Sequence, residues 1–514
     1  MASRMQRSLV GLMFPVVAIV IWQLSASMNL LGYEYLPAPA DVMASLAELA
    51  RSGELFDDLS HTLAMTFFAT VTALILGAVL GVALGLLPTM RNYLVASIDF
   101  LRAIPAVTLI PVAMISLGPS GATEFLLAAY AALWPVVLCT SAGTAATHPR
   151  QYDVARMLHF SRAKTVQKIV VPAAVPAWLV GARLAGVIAL LVSIVVEMIT
   201  YHRGLGGGLV ASLNALAPAR VWAYALVCGV IGYLLNSLLD RAVALGLPGS
   251  PVNAKISASV QGVVAQPPST LRGLLPVAAL LATWQVVGHS DSLFFPPPSE
   301  WLTALAHVRA SGSLTPAVVQ TLSTYALGLA FAVAIGSLVG VAIGASQLID
   351  RALSPSIAFL AAVPGAALVP VAVLLLGPGQ LSGVVVVTLI VSWPVLLAAA
   401  TAMRTVPVVR LEMSYTLGLT PLHRWGKVIL PSLTPGILLG VRVASAMALI
   451  VTLLVDIFGV GAGLGRLLVE SQQRFETATA WGLLLLIGAF GYVTSAFLAW
   501  LPRARWEPNS SGTL

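Results

Sequence analysis

Residues 410–435 read RLEMSYTLGLTPLHRWGKVILPSLTP, a polar, cationic segment in a chain that is otherwise almost unbrokenly apolar. A near relative, QYDVARMLHFSRAKTVQKIVVPAAVP, occupies residues 151–176. Around these two islands the chain has 514 residues, 59% of them hydrophobic and only 9% charged, with a mean hydropathy of +0.95. Soluble domains carry roughly 25% charged residues, so this composition excludes a soluble globular protein and points to an all-α integral membrane protein. Runs such as Leu63 to Leu87, Leu322 to Gly344 and Leu433 to Val455 are long enough to cross a hydrocarbon core of about 30 Å as helices. The short alternating strands of a closed barrel do not occur in the sequence.

The net charge of +8 is spread over short segments between apolar runs rather than along a stripe or tail. It therefore reads as topology charge, with membrane lipid as the expected neighbour and no nucleic acid. Cys139 and Cys228 both fall in apolar runs, so neither a disulfide framework nor a metal site is expected, and no spacing suggests a nucleophile triad or paired catalytic carboxylates. The N-terminal MASRMQRSLVGLMFPVVAIVIWQLSAS has the basic flank and apolar run of a secretory signal. However, GLLPVAALLATWQ at 273–285 restates GLMFPVVAIVIWQ at 11–23, and a segment reused deep in the chain reads as a first membrane helix.

That restatement is part of a direct repeat. A shift of 259 positions lays Pro39 on Pro298, Thr62 on Thr321, Gly77 on Gly336, Gly81 on Gly340, Gly85 on Gly344, and Trp134-Pro135 on Trp393-Pro394. The same shift, without a gap, carries Pro172 to Pro431, Gly204 to Gly463, Trp222 to Trp481 and Gly232-Tyr233 to Gly491-Tyr492. Each half holds about six spans, near 9–25, 61–87, 95–117, 122–146, 172–198 and 220–245, and again near 272–289, 320–346, 354–376, 381–403, 431–457 and 478–501. The expected organisation is a first domain over 1–245, a linker over 246–271 rich in Pro, Ser and Gly, a second domain over 272–502 and a tail over 503–514. An even number of spans makes both halves enter the membrane in the same sense, giving about twelve transmembrane helices in a parallel pseudo-dimer.

Charge sets the orientation. Arg150, Arg156, Arg162, Lys164 and Lys168 in the first island, and Arg404, Arg410, Arg424 and Lys427 in the second, contrast with the first loop, which holds Glu34, Asp41, Glu48, Glu54, Asp57 and Asp58 against Arg51 alone. Both islands and both termini are therefore expected on the cytoplasmic side. Within the first island Val154, Met157, Leu158 and Val166 recur at roughly helical spacing, which predicts a short amphipathic helix. Two copies at one offset, each running into a Pro at the next span, favour docking to a paired partner over resting on lipid.

The patterns DVARMLHFSRAKTVQKIVVP and EMSYTLGLTPLHRWGKVILP resemble the EAA segment of the permease subunits of ATP-binding-cassette importers. The resemblance places the segments at 150–172 and 409–431. It assigns the acid to Asp153 and Glu412, the small residues to Ala155 and Ser414, the Gly position to His159 and Gly418, and the closing Pro to Pro172 and Pro431. Val154 and Met413 stand where alanines are usual. WQ in the first span, LPAP or FPPPSE opening the outer loop, RAIPAVTLIPV in the third span and EMITYHRGLGGGL closing the fifth are similar to the nitrate, sulfonate and taurine branch. The resemblance implies two tandem six-helix type I permease domains of a bacterial inner membrane importer. It further implies two ATPase subunits docked on the islands and a small solute, an anion or a sulfonate-, nitrate- or taurine-like compound, passed on by an extracytoplasmic binding protein. No GxxxxGK[ST] loop is present, since Gly426-Lys427 is followed by Val428, so ATP and Mg are expected on partner subunits and no cofactor on this chain. The alternative is a secondary transporter with two six-helix halves; the paired islands, and no expected acid or His relay inside the membrane, weigh against it.

Further residues carry expectations of their own. Pro105, Pro111, Pro364 and Pro370 break the third spans and, with Arg183 and Arg442 about 11 residues into the fifth, are candidates for the solute path. Glu197 and Asp456, roughly 37 Å along the fifth helix from Pro172 and Pro431, are candidates for the outer mouth. The glycines at 204–208 and 461–465 suit a tight turn with positive φ. Gly418 takes a left-handed turn at little cost whereas His159 is strained there by about 1–2 kcal/mol, so the two islands are expected to turn differently.

Overall fold

The computed structural model describes residues 2–28, 35–200, 203–246, 271–289, 292, 294–458 and 463–500. Residues 247–270 of the expected 246–271 linker, the tail, Glu34, Tyr201, His202 and residues 459–462 lie outside the described residues. Among the described residues each half contributes ten α-helices in the same order. In the first they are α1 (Ala2–Ser27), α2 (Pro39–Ser52), α3 (Glu54–Leu86), α4 (Pro88–Ala103), α5 (Ala106–Leu117), α6 (Gly121–Ala145), α7 (Pro149–Met157), α8 (Arg162–Thr200), α9 (Gly204–Asn214) and α10 (Pro218–Gly246). The second half repeats them as α11 (Leu275–Val287), α12 (Pro298–Ala310), α13 (Leu314–Ala345), α14 (Gln347–Ala362), α15 (Gly365–Leu376), α16 (Gln380–Arg404), α17 (Val408–Thr416), α18 (Pro421–Phe458), α19 (Leu464–Gln473) and α20 (Thr477–Trp500).

Among the described residues eight helices are long and apolar enough to cross a membrane, nine if α4 and α5 count as one bent span. With that bent pair and the shorter apolar helices at Pro15–Ser27, Leu275–Val287 and Gly365–Leu376, the apolar helices fall at the twelve expected positions. The first span of the second half is a helix of 13 residues, about 20 Å long and too short to cross alone. The third span is broken at Pro105, where α4 and α5 meet at 82°. Pro105 has no N–H to continue the ladder and disfavours a helical Ile104 before it. The Leu101 carbonyl at the break accepts from the Tyr130 hydroxyl at 2.7 Å and from Ile104 N–H at 3.2 Å. Pro364 separates α14 from α15 in the same way.

The breaks turn each short helix into the opposite half. α5 packs on α18, α19 and α20, and α15 packs on α8, α9 and α10. Ala366, Ala367, Val371 and Leu374 of α15 thereby belong to the first half's core, and Val112 of α5 to the second's. Within each half the tightest stack is α3 on α6 on α8, or α13 on α16 on α18. Small residues every fourth position make that approach possible. A Cβ on Gly81 would lie 2.6 Å from Thr140 Cβ, and one on Gly336 2.7 Å from the Ser392 carbonyl.

The WQ and proline motifs also acquire a structural account. The Gln23 side chain accepts from the Ala40 amide at 3.1 Å, and Gln285 accepts from the Ser299 amide at 2.9 Å, so each caps the helix that follows the Pro-rich loop. Trp284 packs edge-on against Trp301 and Trp481, fixing the same corner in aromatic contacts. Replacing Gly336 with Leu is expected to force α13 off α16 and destabilise the chain by about 1–3 kcal/mol, read as a lowered midpoint in detergent thermal-shift chromatography.

Candidate functional site

The two islands fold alike. α7 and α17 each end in a Schellman motif: Phe160 N–H donates to the Ala155 carbonyl at 2.9 Å and Leu419 N–H to Ser414 at 3.0 Å, with His159 and Gly418 one step inside. His159 has φ 52° and Gly418 φ 60°. The expectation that the copies turn differently is therefore corrected. His is among the side chains that tolerate the left-handed region, and His159 faces solvent with no neighbour forcing it out.

The small residues of the motif face inward. Ala155 is 2% exposed and Ser414 1%, while their neighbours on both islands are open to solvent. Asp153, Glu412 and His159 are exposed; Asp153 pairs with Arg156 at 3.4 Å, a surface contact of small energetic weight. In the second island the Arg424 guanidinium lies 3.6 Å from the Tyr415 ring centroid, stiffening the turn. Ser161 and Thr420 then open α8 and α18. Both long helices carry a π-helical turn, Val166–Val170 and Trp425–Ile429, just before Pro172 and Pro431. The widened turn absorbs a proline that cannot donate to the ladder. Each island thus runs without a gap into one helix that reaches the opposite end of the bundle.

At that opposite end Glu197 and Asp456 are 1% and 4% exposed, which corrects their assignment to an open mouth. They hold the start of the next helix. Thr62 Oγ1 donates to Glu197 Oε1 at 2.7 Å and accepts from Leu205 N–H at 3.0 Å, while Gly206 N–H donates to Glu197 Oε2 at 2.9 Å and Gly204 N–H to Asp58 Oδ1 at 3.0 Å. Three successive amides that a helix start leaves free are satisfied by side chains. The second half repeats the core of this, with Thr321 Oγ1 donating to Asp456 Oδ2 at 2.6 Å and accepting from Leu464 N–H at 2.8 Å. The glycines serve this packing more than a turn: Gly204 has φ 89°, but Gly206 lies within α9, where a Cβ would collide with the Ile194 carbonyl.

The first half adds groups that no motif announced. His61 Nε2 lies 3.0 Å from Glu124 Oε2, beside Glu197, and Tyr224 donates to Asp58 Oδ2 at 2.7 Å. These groups form a cluster at one end of the bundle, not an acid or His relay through the membrane, which the sequence offers no reason to expect. The repeat carried a signal for them, because Gln320, Gly383, Ala317 and Leu483 stand at the matching positions and lack the ionisable groups.

The path candidates divide. Pro105, Pro111 and Pro370 are buried in packed interior, while Pro364, also buried, lines a cavity of about 660 Å³ between the halves. Val187 and Asn236 of the first half and Ile390, Trp393 and Met447 of the second form its walls, and the ion pair of Asp350 with Arg404 at 2.7 Å marks its end near α17. Arg183 pairs with Asp240 at 2.8 Å, and Arg442 occupies the matching position on α18, half-buried. The arginine thus has a structural partner within the first half.

Two outcomes follow from these geometries. Thr62→Val and Thr321→Val each remove a donor and an acceptor from a buried junction and are expected to cost about 1–3 kcal/mol, measured as the shift in thermal midpoint, with the two losses similar. His159→Gly is expected to be neutral or stabilising by up to about 1 kcal/mol, and Gly418→His to cost about 1 kcal/mol while keeping the turn, since a Cβ at Gly418 meets nothing within 4 Å. Hydrogen exchange of the Phe160 and Leu419 amides reads both.

The binding-protein-dependent transport system inner membrane component family matches residues 73–246 and again 332–506. Over 234 residues the chain is 30% identical to the putative aliphatic sulfonates transport permease protein SsuC of Bacillus subtilis, covering 45% of this chain and 85% of that protein. It is 28% identical over 225 residues to the taurine transport system permease protein TauC of Escherichia coli, covering 43% and 82%. It is 26% identical over 239 residues to the bicarbonate transport system permease protein CmpB of Synechocystis, covering 44% and 85%. The two matches fall at the two ends of one 259-residue repeat and each takes in an island, so the chain is a multi-pass membrane protein that belongs to the binding-protein-dependent inner membrane permeases, with two permease domains fused in tandem.

Proposed function

We propose that this importer permease is driven by two separately encoded ATPase subunits, one on α7 and one on α17, and that it receives a small sulfonate-, taurine- or bicarbonate-like solute from an extracytoplasmic binding protein. The observation that carries the reading is the matched pair of islands. Each buries its small residue, Ala155 or Ser414, and turns large apolar side chains outward, with Met157 77% and Leu417 69% exposed. Apolar side chains held away from the bundle on a short rigid helix suit a protein groove. Asp153 and Glu412, also exposed, offer carboxylates to basic groups of that groove. ATP and Mg²⁺ belong to those subunits, since the chain has no phosphate-binding loop.

The coupling route is the continuous helix behind each island. A tilt of α7 or α17 moves the base of α8 or α18, and the π turn gives the hinge at which the tilt enters the span. The solute passes between the halves, where the cavity beside Pro364 lies. In this reading the islands and both termini lie in the cytoplasm and the α9 and α19 ends outside, which the distribution of Lys and Arg supports. A gradient-driven transporter with two six-helix halves has no use for two exposed docking helices, and the family assignment leaves that alternative without support.

The purified chain is expected to hydrolyse no ATP, and the complex with its ATPase and binding protein to import taurine or an alkanesulfonate into proteoliposomes on addition of ATP. Met157→Asp and Leu417→Asp are each expected to release one ATPase, read by native mass spectrometry as a change from two copies to one. Uptake sustained by a proton gradient without the ATPase would overturn the assignment.

A further inference from the structure

At the end of the bundle opposite the islands, α3, α6 and α8 bring together an imidazole and two carboxylates, of which only Glu197 has an acidic counterpart, Asp456, in the second half. We propose that His61, Glu124 and Glu197 form a binding site for one divalent transition-metal cation of the Zn²⁺ type, present in the first permease domain only. One donor atom from each residue lies within 4.8 Å of the others, and His61 Nε2 is 3.0 Å from Glu124 Oε2. Donor atoms around a tetrahedral zinc at about 2.0–2.2 Å are about 3.4 Å apart, so small side-chain shifts admit the ion.

Three further observations point to a ligand. Glu124 is 4% exposed, yet its second oxygen, Oε1, is buried without a hydrogen-bond partner. Two carboxyl groups crowd one imidazole here, and a single divalent cation offsets the negative charge such groups carry when ionised. Glu197 is already oriented, because Thr62 and the Gly206 amide each occupy one lone pair of its oxygens and leave others for a metal, the arrangement by which outer partners fix a ligating carboxylate.

The ion has a way in. His61 is partly exposed and lines a cavity of about 940 Å³ with Asp57 and Asp58, whose carboxylates favour a cation at the entrance; Arg220, on the same wall, is paired with Glu48 and Glu54. Arg203 also lines that cavity and leaves the field mixed rather than uniformly acidic. One nitrogen and two oxygen donors suit Zn²⁺ or its first-row neighbours, not soft Cu⁺, which prefers sulfur. In the second half Gln320, Gly383 and Asp456 leave a single carboxylate, so the repeat supplies an internal comparison.

The test uses the full-length, tag-free chain in lipid nanodiscs, stripped with a chelator, incubated with ZnCl₂ and passed through a desalting column, with retained zinc measured by mass spectrometry. One zinc per chain is expected, and His61→Gln and Glu124→Gln are each expected to weaken binding at least about tenfold, since even the loss of an outer partner costs about 10–100-fold. His61→Gln installs what the second half already carries, and thermal unfolding of each variant without metal checks that it folds. Loading the wild-type chain with Co²⁺ is expected to give visible ligand-field bands that the His61→Gln chain lacks. Absence of retained zinc in the wild-type chain, or equal retention by wild type and both variants, would overturn the proposal.

Discussion

Inside a bilayer a backbone amide has no water to turn to, and the architecture of this chain follows from where each such group finds its partner. The start of α9 is the clearest case. Three amides in succession are accepted by Asp58, Thr62 and Glu197, side chains from two other helices, so the helix cannot begin elsewhere. A buried carboxylate is costly to place in such surroundings, but one that accepts from two donors is a strong clamp. The same Thr and acid recur at Thr321 and Asp456, which shows that the clamp belongs to the permease domain and not to one half's chemistry.

The second consequence concerns how two domains become one transporter. A straight third span would leave the halves touching only along their outer faces. The break at Pro105 and Pro364 instead inserts α5 and α15 into the partner half's core, where Ala366, Ala367 and Val371 are nearly inaccessible. The interface is therefore part of both hydrophobic cores. Side chains of each half pack within the other, and the cavity near Pro364 lies between the two halves. α8 and α18, about 57 Å long at 1.5 Å per residue, join the islands to the buried acids, so each island and its far clamp lie at the two ends of one continuous helix.

The halves resemble each other more in backbone than in charge. His159 and Gly418 share one turn despite different side chains, because the Schellman hydrogen bonds of α7 and α17 fix the conformation and an exposed imidazole meets no obstacle. Glu124 and Gly383 occupy equivalent places with opposite consequences: the first adds a buried carboxylate beside His61, whereas the second lets Val455 and Thr324 close over the space. Duplication preserved the packing constraints, which span many contacts, and left isolated ionisable positions free to diverge.

Much of this was legible in residues alone. Hydropathy established the membrane, the 259-residue shift established two like domains, and the islands with their Asp153/Glu412 to Pro172/Pro431 spacing pointed to the permease family. These are properties of local pattern, and pattern survives without coordinates. Tertiary structure decided the rest. The third span's right-angle break needed Tyr130, 29 residues away, to take up a carbonyl at the corner. Glu197 looked like a mouth residue because its distance along the helix placed it at the membrane edge, but only the return of α9 over it, clamped through Thr62, buries it. His61, Glu124 and Glu197 lie 63 and 73 positions apart in the chain, and no spacing rule links residues that meet solely because three helices end at one level.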